Sequence, residues 1–216
     1  MKVIGLRRVL PLVVLTAAAV AAGASGGAES GHTQRDEVRA KLEYCKTCHG
    51  LSGEGYHGYF AMPRLAGQQS TYVENQVRAF MERRRSNPVM FNVAHSLSQS
   101  MLAALAAHFH ALNPPPAGTG PERLAAAGKT IYEEGIPEAN VAACFACHGV
   151  NARGRDEIPR LAGQLYPYLI ETLTSWARER GQRGGSSDTS AIMVPTAHNL
   201  TRAEIAEVSA YVSGLK

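Results

Sequence analysis

The four cysteines of this 216-residue chain lie in two copies of one short frame, C-x-x-C-H-G. The frames contribute Cys45, Cys48 and His49 in the first copy and Cys144, Cys147 and His148 in the second. Two cysteines three positions apart with an adjacent histidine suit three chemistries: covalent attachment of a c-type haem, a redox-active dithiol, or half of a zinc site. The surrounding sequence distinguishes between them.

A haem fits these surroundings best. A thioredoxin-like dithiol expects a βαβ setting, of which the sequence shows no sign, and a zinc site needs further Cys or His residues at matched spacing. In the haem chemistry the two cysteines form thioethers to the haem vinyl groups and the histidine ligates the iron. The sequence therefore predicts two covalently attached haem c groups, with His49 and His148 as iron ligands.

Haem iron has two axial positions, and a histidine fills one of them. The chain has six methionines, of which only Met193 lies in the second half. Its surroundings, "SAIMVPTAHNL", repeat those of Met90 in "SNPVMFNVAHSL". A methionine is most often a core filler, but this repeat predicts Met90 and Met193 as the second axial ligands, with Met81 and Met62 as alternatives in the first half.

The two frames belong to a repeat that spans most of the chain. "PRLAGQ" occurs at 63–68 and again at 159–164, and an amphipathic helical segment follows each copy. Further on, each half ends in a closing helix, and the second of these begins with a capping-box pattern from Thr201 to Glu204. Three consecutive prolines in "NPPPAGTGP" interrupt the chain between the halves. We predict an all-α fold of two tandem domains, residues 25–112 and 122–216, joined by a short Pro-rich linker at 113–121.

The first 24 residues are typical of a secretory signal peptide. Basic residues come first, an apolar run follows from Val9 to Ala22, and small residues end the segment. We therefore expect residues 1–24 to be a signal peptide and the mature protein to lie in the periplasm; an uncleaved anchor is the alternative. Removing this segment takes away three of the 22 basic residues and none of the 18 acidic ones, which leaves a net charge of +1 and no reason to expect nucleic-acid binding.

Taken in order, these motifs resemble the cytochrome c4 family, di-haem proteins built of two class I cytochrome c domains. The resemblance covers about residues 35–215. It implies that the carbonyls of Pro63 and Pro159 accept a hydrogen bond from the ligand histidines and that Leu65 and Leu161 pack on the haem faces. It also implies an electron-transfer protein rather than an enzyme, one that carries single electrons between respiratory donors and a membrane-bound terminal oxidase or similar acceptor.

Two other functions stay open on the sequence. The chain could be the haem subunit of a larger dehydrogenase or oxidase complex, because such a subunit needs the same haem sites. It could also be a di-haem peroxidase-like enzyme, which needs an open position on one iron. The expected partners are redox proteins that donate or accept electrons, and peripheral association with a membrane also stays open.

Two local features complete the sequence predictions. Helices are expected before each frame, around residues 36–44 and 122–134. The first lacks a glycine equivalent to Gly128 of the second, so its crossing with the closing helix should be looser or of a different geometry. The segment "RRRS" at 83–86 is either a positive rim around the first haem or a solvated helix end. Such a rim would attract an acidic partner or meet the haem propionates.

Overall fold

Two helical halves follow one another along the chain, and the computed structural model describes residues 26–180 and 189–216. The helices of the first half are α1 (Gly26–His49), α2 (Ser70–Met81), α3 (Pro88–His95) and α4 (Gln99–His110). Those of the second half are α5 (Glu122–Glu134), α6 (Phe145–His148), α7 (Tyr166–Thr174), α8 (Trp176–Glu179), α9 (Met193–Asn199) and α10 (Arg202–Gly214). The short strands β1 (Tyr56–His57) and β2 (Ala61–Met62) pair as an antiparallel hairpin. The predicted all-α class is confirmed, and the predicted signal peptide lies outside the described residues.

The core of the second half forms where α5 crosses α10. Gly128 allows this close crossing, because a Cβ atom at that position would overlap the backbone carbonyl of Glu207. The buried side chains around the crossing include Ile131, Tyr132, Val141, Leu169, Ile205, Val208 and Val212. The Tyr132 hydroxyl donates a hydrogen bond to the Gly149 carbonyl at 2.6 Å. The helix crossing is therefore tied directly to the second C-x-x-C-H-G frame.

The core of the first half is smaller. Its core cluster comprises Val77, Phe80, Ala94 and Leu102, with Met81, Met90 and Leu97 packed against them. Helix α4 also buries Leu105, Ala106 and Phe109. Among the side chains that the structure describes, none of α1 belongs to this cluster. An exposed hydrogen bond from Gln34 to Ser100, at 3.4 Å, joins α1 to the start of α4. This looser contact agrees with the absence of a glycine at the crossing.

Some helix boundaries follow the predictions, and each half also contains one that does not. Helix α5 spans the predicted segment, and both bonds of the Thr201–Glu204 capping box are present. Helix α1 is longer than predicted and runs through the first frame to His49, because residues 32–49 contain neither Gly nor Pro. In the second half Gly135 ends α5 well before the frame. The amphipathic helical segment predicted after the second "PRLAGQ" is divided at Ser175 into α7 and α8.

The linker between the halves packs against both of them. The Arg64 guanidinium of the first half donates to the carbonyls of Pro114, at 2.8 Å, and Pro115, at 3.2 Å. Farther along, the Gly120 amide donates to the Ser213 hydroxyl of α10 at 2.9 Å. Among the described residues, no helix combines the length and apolar character needed to cross a membrane.

Candidate haem-binding sites

The two frames lie at helix ends. In the first half the frame forms the C-terminal end of α1, and in the second half Cys144 lies immediately before α6. His49 and His148 are only 8% and 5% exposed, whereas the second cysteine of each frame is exposed. None of the four cysteines is in a disulfide. Each frame thus places one exposed and one partly buried cysteine next to a buried imidazole, an arrangement that suits covalent haem attachment.

One hydrogen bond orients each histidine ring. Nδ1 of His49 lies 2.8 Å from the Pro63 carbonyl oxygen, and Nδ1 of His148 lies 3.0 Å from that of Pro159. Because a carbonyl only accepts, Nδ1 carries the proton and Nε2 keeps its lone pair. Burial lowers the pKa of both histidines, so the neutral ring is favoured. Each half therefore holds a buried imidazole whose remaining nitrogen can bind a metal.

The loop after each frame has the same backbone hydrogen bonds in both halves. The amides of Leu65 and Leu161 donate to the carbonyls of Gly53 and Ala152, at 2.8 and 2.7 Å. Both leucines are partly buried, and Leu161 packs against the core of its half. The glycines that close the frames have positive φ, which favours glycine: Gly50 at 87° and Gly149 at 79°. The repeat seen in the sequence is thus a repeat of conformation around the histidines.

The two repeated methionines lie at the start of corresponding helices. Met90 is in the first turn of α3, where its amide donates to the Asn87 side chain at 2.9 Å, and Met193 is the first residue of α9. Both side chains are partly buried, and Met90 packs against the first core. Iron ligation by these methionines stays a prediction.

The thiols lack the features of a redox dithiol or a zinc site. Burial raises the pKa of the Cys45 thiol and raises that of Cys144 to about 11. Reactive dithiols have a lowered thiol pKa instead. In the described part of the chain, no group of three His, Cys, Asp or Glu side chains is placed to hold a metal ion. Both observations favour haem over the two alternatives.

A polar cluster that the sequence does not predict lies between the halves, and we call it the Arg–Tyr cluster. It consists of Tyr72, Gln76, Arg85, Tyr168 and Arg180. Arg85 donates to the Tyr168 hydroxyl at 2.7 Å, and Arg180 donates to the Tyr72 hydroxyl at 3.2 Å. Each guanidinium therefore reaches the tyrosine of the other half. The alternative of a solvated helix end is wrong for Arg85, because this side chain is hydrogen-bonded between the halves. A positive rim that attracts an acidic partner or meets the haem propionates stays a prediction.

The only sequence signal for the Arg–Tyr cluster is the pair of tyrosines. Tyr72 and Tyr168 occupy equivalent positions after the two "PRLAGQ" segments. Each tyrosine accepts a hydrogen bond from an arginine of the opposite half, and Tyr168 also accepts from Arg180 of its own half at 3.0 Å. No local pattern identifies these partners. The cluster becomes visible only once the two halves are packed together.

The Arg–Tyr cluster concentrates positive charge in a buried place. Among the described residues, no carboxylate accepts a hydrogen bond from Arg85 or Arg180. Arg180 is 4% exposed, and its Nε and the Trp176 Nε1 have no hydrogen-bond partner. Burial alone raises the pKa of Tyr168, but the two guanidiniums outweigh this effect and lower it to about 8. The Arg85 charge also contributes to the lowered pKa of His49, so the cluster acts on the first frame.

These features fit a haem. Its iron takes a neutral imidazole nitrogen, its vinyl groups take thiols, and its two carboxylates need cationic or N–H donors. The chain supplies free Nε2 atoms and free thiols in both halves. It also supplies the partly buried Arg85 and the buried Arg180, for which the described residues offer no carboxylate partner. Such burial of charge costs free energy unless an anion is present. Large apolar side chains are exposed beside the frames, with Leu51 80% and Val150 74% exposed. When bound, haem supplies an iron that gains and loses a single electron.

Comparisons with known proteins agree with this site. The family model described as cytochrome c matches residues 125–216. Cytochrome c4 of Thiocapsa roseopersicina is 34% identical over 190 residues, 86% of this chain and 93% of that protein. A thiosulfate dehydrogenase electron acceptor of Thiomonas intermedia is 33% identical over 215 residues, 97% of this chain and 92% of that protein. The solved structure of Acidithiobacillus ferrooxidans cytochrome c4 has a TM-score of 0.67 and 35% identity, covering 79% of this chain and 98% of its own.

Each helical half contains one C-x-x-C-H frame and one buried imidazole. These features define a c-type cytochrome with two haem-binding halves. Its likeness to the proteins above extends through both halves. The chain belongs to the cytochrome c4 family. It carries covalently attached haem c at the frames Cys45–Cys48 and Cys144–Cys147, and it transfers electrons with redox partners.

Proposed function

We propose that this protein is an exported di-haem electron carrier in which each iron has one histidine and one methionine ligand. His49 and Met90 would ligate the first iron, and His148 and Met193 the second. The observation that carries the proposal is the pair of buried imidazoles whose Nδ1 atoms are held by Pro63 and Pro159, which leaves Nε2 for the iron.

The chain's own residues set how readily each haem is reduced. A hydrogen bond from Nδ1 increases the electron donation of a histidine ligand and favours oxidised iron. A thioether ligand favours reduced iron, and so does the positive charge of the Arg–Tyr cluster. We propose that residues 25–112 and 122–216 are the two haem domains, that 113–121 link them, and that 1–24 direct export to the periplasm.

For the physiological route, we propose that redox proteins reduce the carrier and that a membrane-bound terminal oxidase or similar acceptor oxidises it. A second candidate donor comes from the relatives: the Thiomonas intermedia protein is by name an electron acceptor of thiosulfate dehydrogenase. That likeness extends over 97% of this chain and supports the same role here, whether the protein diffuses freely or stays bound to the enzyme as its haem subunit.

Rapid mixing of the purified, haem-loaded protein tests carrier against enzyme. We expect thiosulfate dehydrogenase with thiosulfate to reduce both haems, and oxidase-containing membranes to reoxidise them, with no substrate consumed by the cytochrome alone. Co-purification at a fixed ratio with a dehydrogenase would favour the complex subunit. Catalytic consumption of peroxide or thiosulfate by the isolated protein would contradict the proposal.

A further inference from the structure

The peptide unit between Pro63 and Arg64 is hydrogen-bonded at both ends. Its carbonyl accepts from His49 Nδ1 at 2.8 Å, and its N–H donates to Oε1 of Gln164 at 2.7 Å. Gln164 belongs to the other half of the molecule and is 6% exposed. One peptide therefore joins the histidine of the first half to a buried amide of the second half.

The second half contains the equivalent arrangement, with the roles of the two halves exchanged. The carbonyl of the Pro159–Arg160 peptide accepts from His148 Nδ1 at 3.0 Å, and its N–H donates to Oε1 of Gln68 at 2.7 Å. Gln68 and Gln164 are the last residues of the two "PRLAGQ" segments. The two hydrogen-bonded chains are thus related by the repeat, and each one crosses the interface.

Further hydrogen bonds fix the orientation of both glutamines. Nε2 of Gln164 donates to the Arg64 carbonyl at 3.1 Å, and its Oε1 also accepts from the Leu165 amide at 3.0 Å. Nε2 of Gln68 donates to the Arg160 carbonyl at 3.0 Å. Because N–H groups face one end of each amide and a carbonyl faces the other, the oxygen and nitrogen positions are determined.

Such a chain of hydrogen bonds has a consequence for the histidine. When the N–H of a peptide donates a hydrogen bond, its carbonyl oxygen becomes a stronger acceptor, because successive hydrogen bonds polarise one another. A stronger acceptor draws the Nδ1 proton of the histidine and makes Nε2 a better electron donor. This favours oxidised iron.

We propose that Gln164 and Gln68 are positioning residues that set the potential of the haem in the opposite half. Gln164 acts through Arg64 and Pro63 on His49, and Gln68 acts through the equivalent peptide on His148. Each domain therefore contributes one residue that acts on the ligand histidine of the other domain. This inference rests on the proposed function, in which His49 and His148 are the iron ligands.

Methionine substitutions in the full-length, haem-loaded protein test the proposal. Gln164→Met keeps the length of the side chain but removes its amide, so the potential of the first haem should rise more than that of the second. Gln68→Met should raise the potential of the second haem more than that of the first. In each variant the proton resonance of the affected histidine Nδ1 should move upfield, as expected for a weaker hydrogen bond.

Gln69→Met is the matched control. Gln69 also bonds across the interface, from Nε2 to the Arg153 carbonyl at 2.9 Å, but it does not touch either proline–arginine peptide. Its removal should leave both potentials and both Nδ1 resonances unchanged. If the potentials of both haems shift equally in every variant, or if Gln69→Met shifts them as Gln164→Met does, the interface is loosened in general. Either result would overturn the proposal.

Two measurements on the unaltered protein complete the test. The Arg64 and Arg160 amides should exchange slowly with solvent deuterium, and rapid exchange of both would overturn the proposal even if the variants did not fold. The histidine ring protons should carry the paramagnetic shifts of iron ligands. Their absence would instead contradict the ligand assignment, so the two failures are distinguishable.

Discussion

A carbonyl oxygen can only accept a hydrogen bond, so Pro63 and Pro159 determine which nitrogen of each buried histidine carries the proton. The same constraint leaves Nε2 unprotonated and aligned for a metal. Both rings also have a lowered pKa through burial, which keeps them neutral at physiological pH. At the scale of single residues, the site is therefore prepared for iron by ordinary hydrogen bonding and desolvation.

The charge of Arg85 should be measurable at the first haem. Arg85→Gln removes a cation that already lowers the pKa of His49, so it should stabilise oxidised iron and lower the potential of the first haem. A Coulomb energy on the order of 1 kcal/mol sets the expected size. Spectroelectrochemical titration of both haems measures it.

Arg84→Gln provides the comparison for Arg85→Gln. It removes the same formal charge one position away, where the guanidinium pairs with Glu82 at 2.6 Å. We expect a smaller shift, since the paired charge is already compensated. Equal shifts from the two variants would mean that net charge, rather than the position of Arg85, controls the potential.

At the scale of helices, the two halves differ in how the helix before the frame ends and in how it packs against the closing helix. Helix α5 ends at Glu134 and crosses α10 closely, whereas α1 continues to His49 and meets α4 loosely. Gly128 makes the close crossing in the second half, and the first half has no equivalent. We infer that the second half is the better packed of the two.

Gly128→Ala should therefore destabilise the second half. The added methyl group would overlap the Glu207 carbonyl, and such overpacking costs about 1–3 kcal/mol. Chemical denaturation followed through the haem absorbance measures the loss. Gly214→Ala at the end of α10 is the control, since a Cβ there meets nothing within 4 Å and should leave stability unchanged or slightly raised. Equal stability of the Gly128 variant and the wild type would show that the crossing tolerates a larger separation.

Local sequence signals predicted the elements that depend on local interactions. The span of α5 and the Thr201–Glu204 capping box follow from side chains close in sequence, and both are confirmed. The resemblance to a family supplied the histidine–proline contacts. The length of α1 and the break at Ser175 were missed, because helix ends depend on tertiary contacts as well as on propensity.

Contacts between the halves could not be predicted from the sequence. Arg85 looked like a surface residue because its neighbours in "RRRS" are charged, yet its partner Tyr168 lies 83 positions away. In the sequence, Gln68 and Gln164 are recognisable only as equivalent residues of the two "PRLAGQ" copies. Their roles depend on how one half is placed against the other, which no local pattern encodes.

At the scale of the whole molecule, the repeat produces an interface in which equivalent residues exchange equivalent hydrogen bonds. Gln68 and Gln164 each bond the proline–arginine peptide of the other half, and Arg85 and Arg180 each reach the tyrosine of the other half. Two haem-binding halves are thereby held in a defined relation, as suits a protein that passes electrons through two irons.

The most direct test of two histidine–methionine haems in one chain is proton NMR of the fully reduced, haem-loaded protein. A methionine bound to low-spin haem iron has its methyl resonance shifted far upfield by the ring current of the macrocycle. We expect two such resonances, one of which disappears in Met193→Ala and the other in Met90→Ala, whereas both persist in Met101→Ala. A spectrum with one such resonance or none, or one in which Met193→Ala leaves both in place, would contradict the assignment.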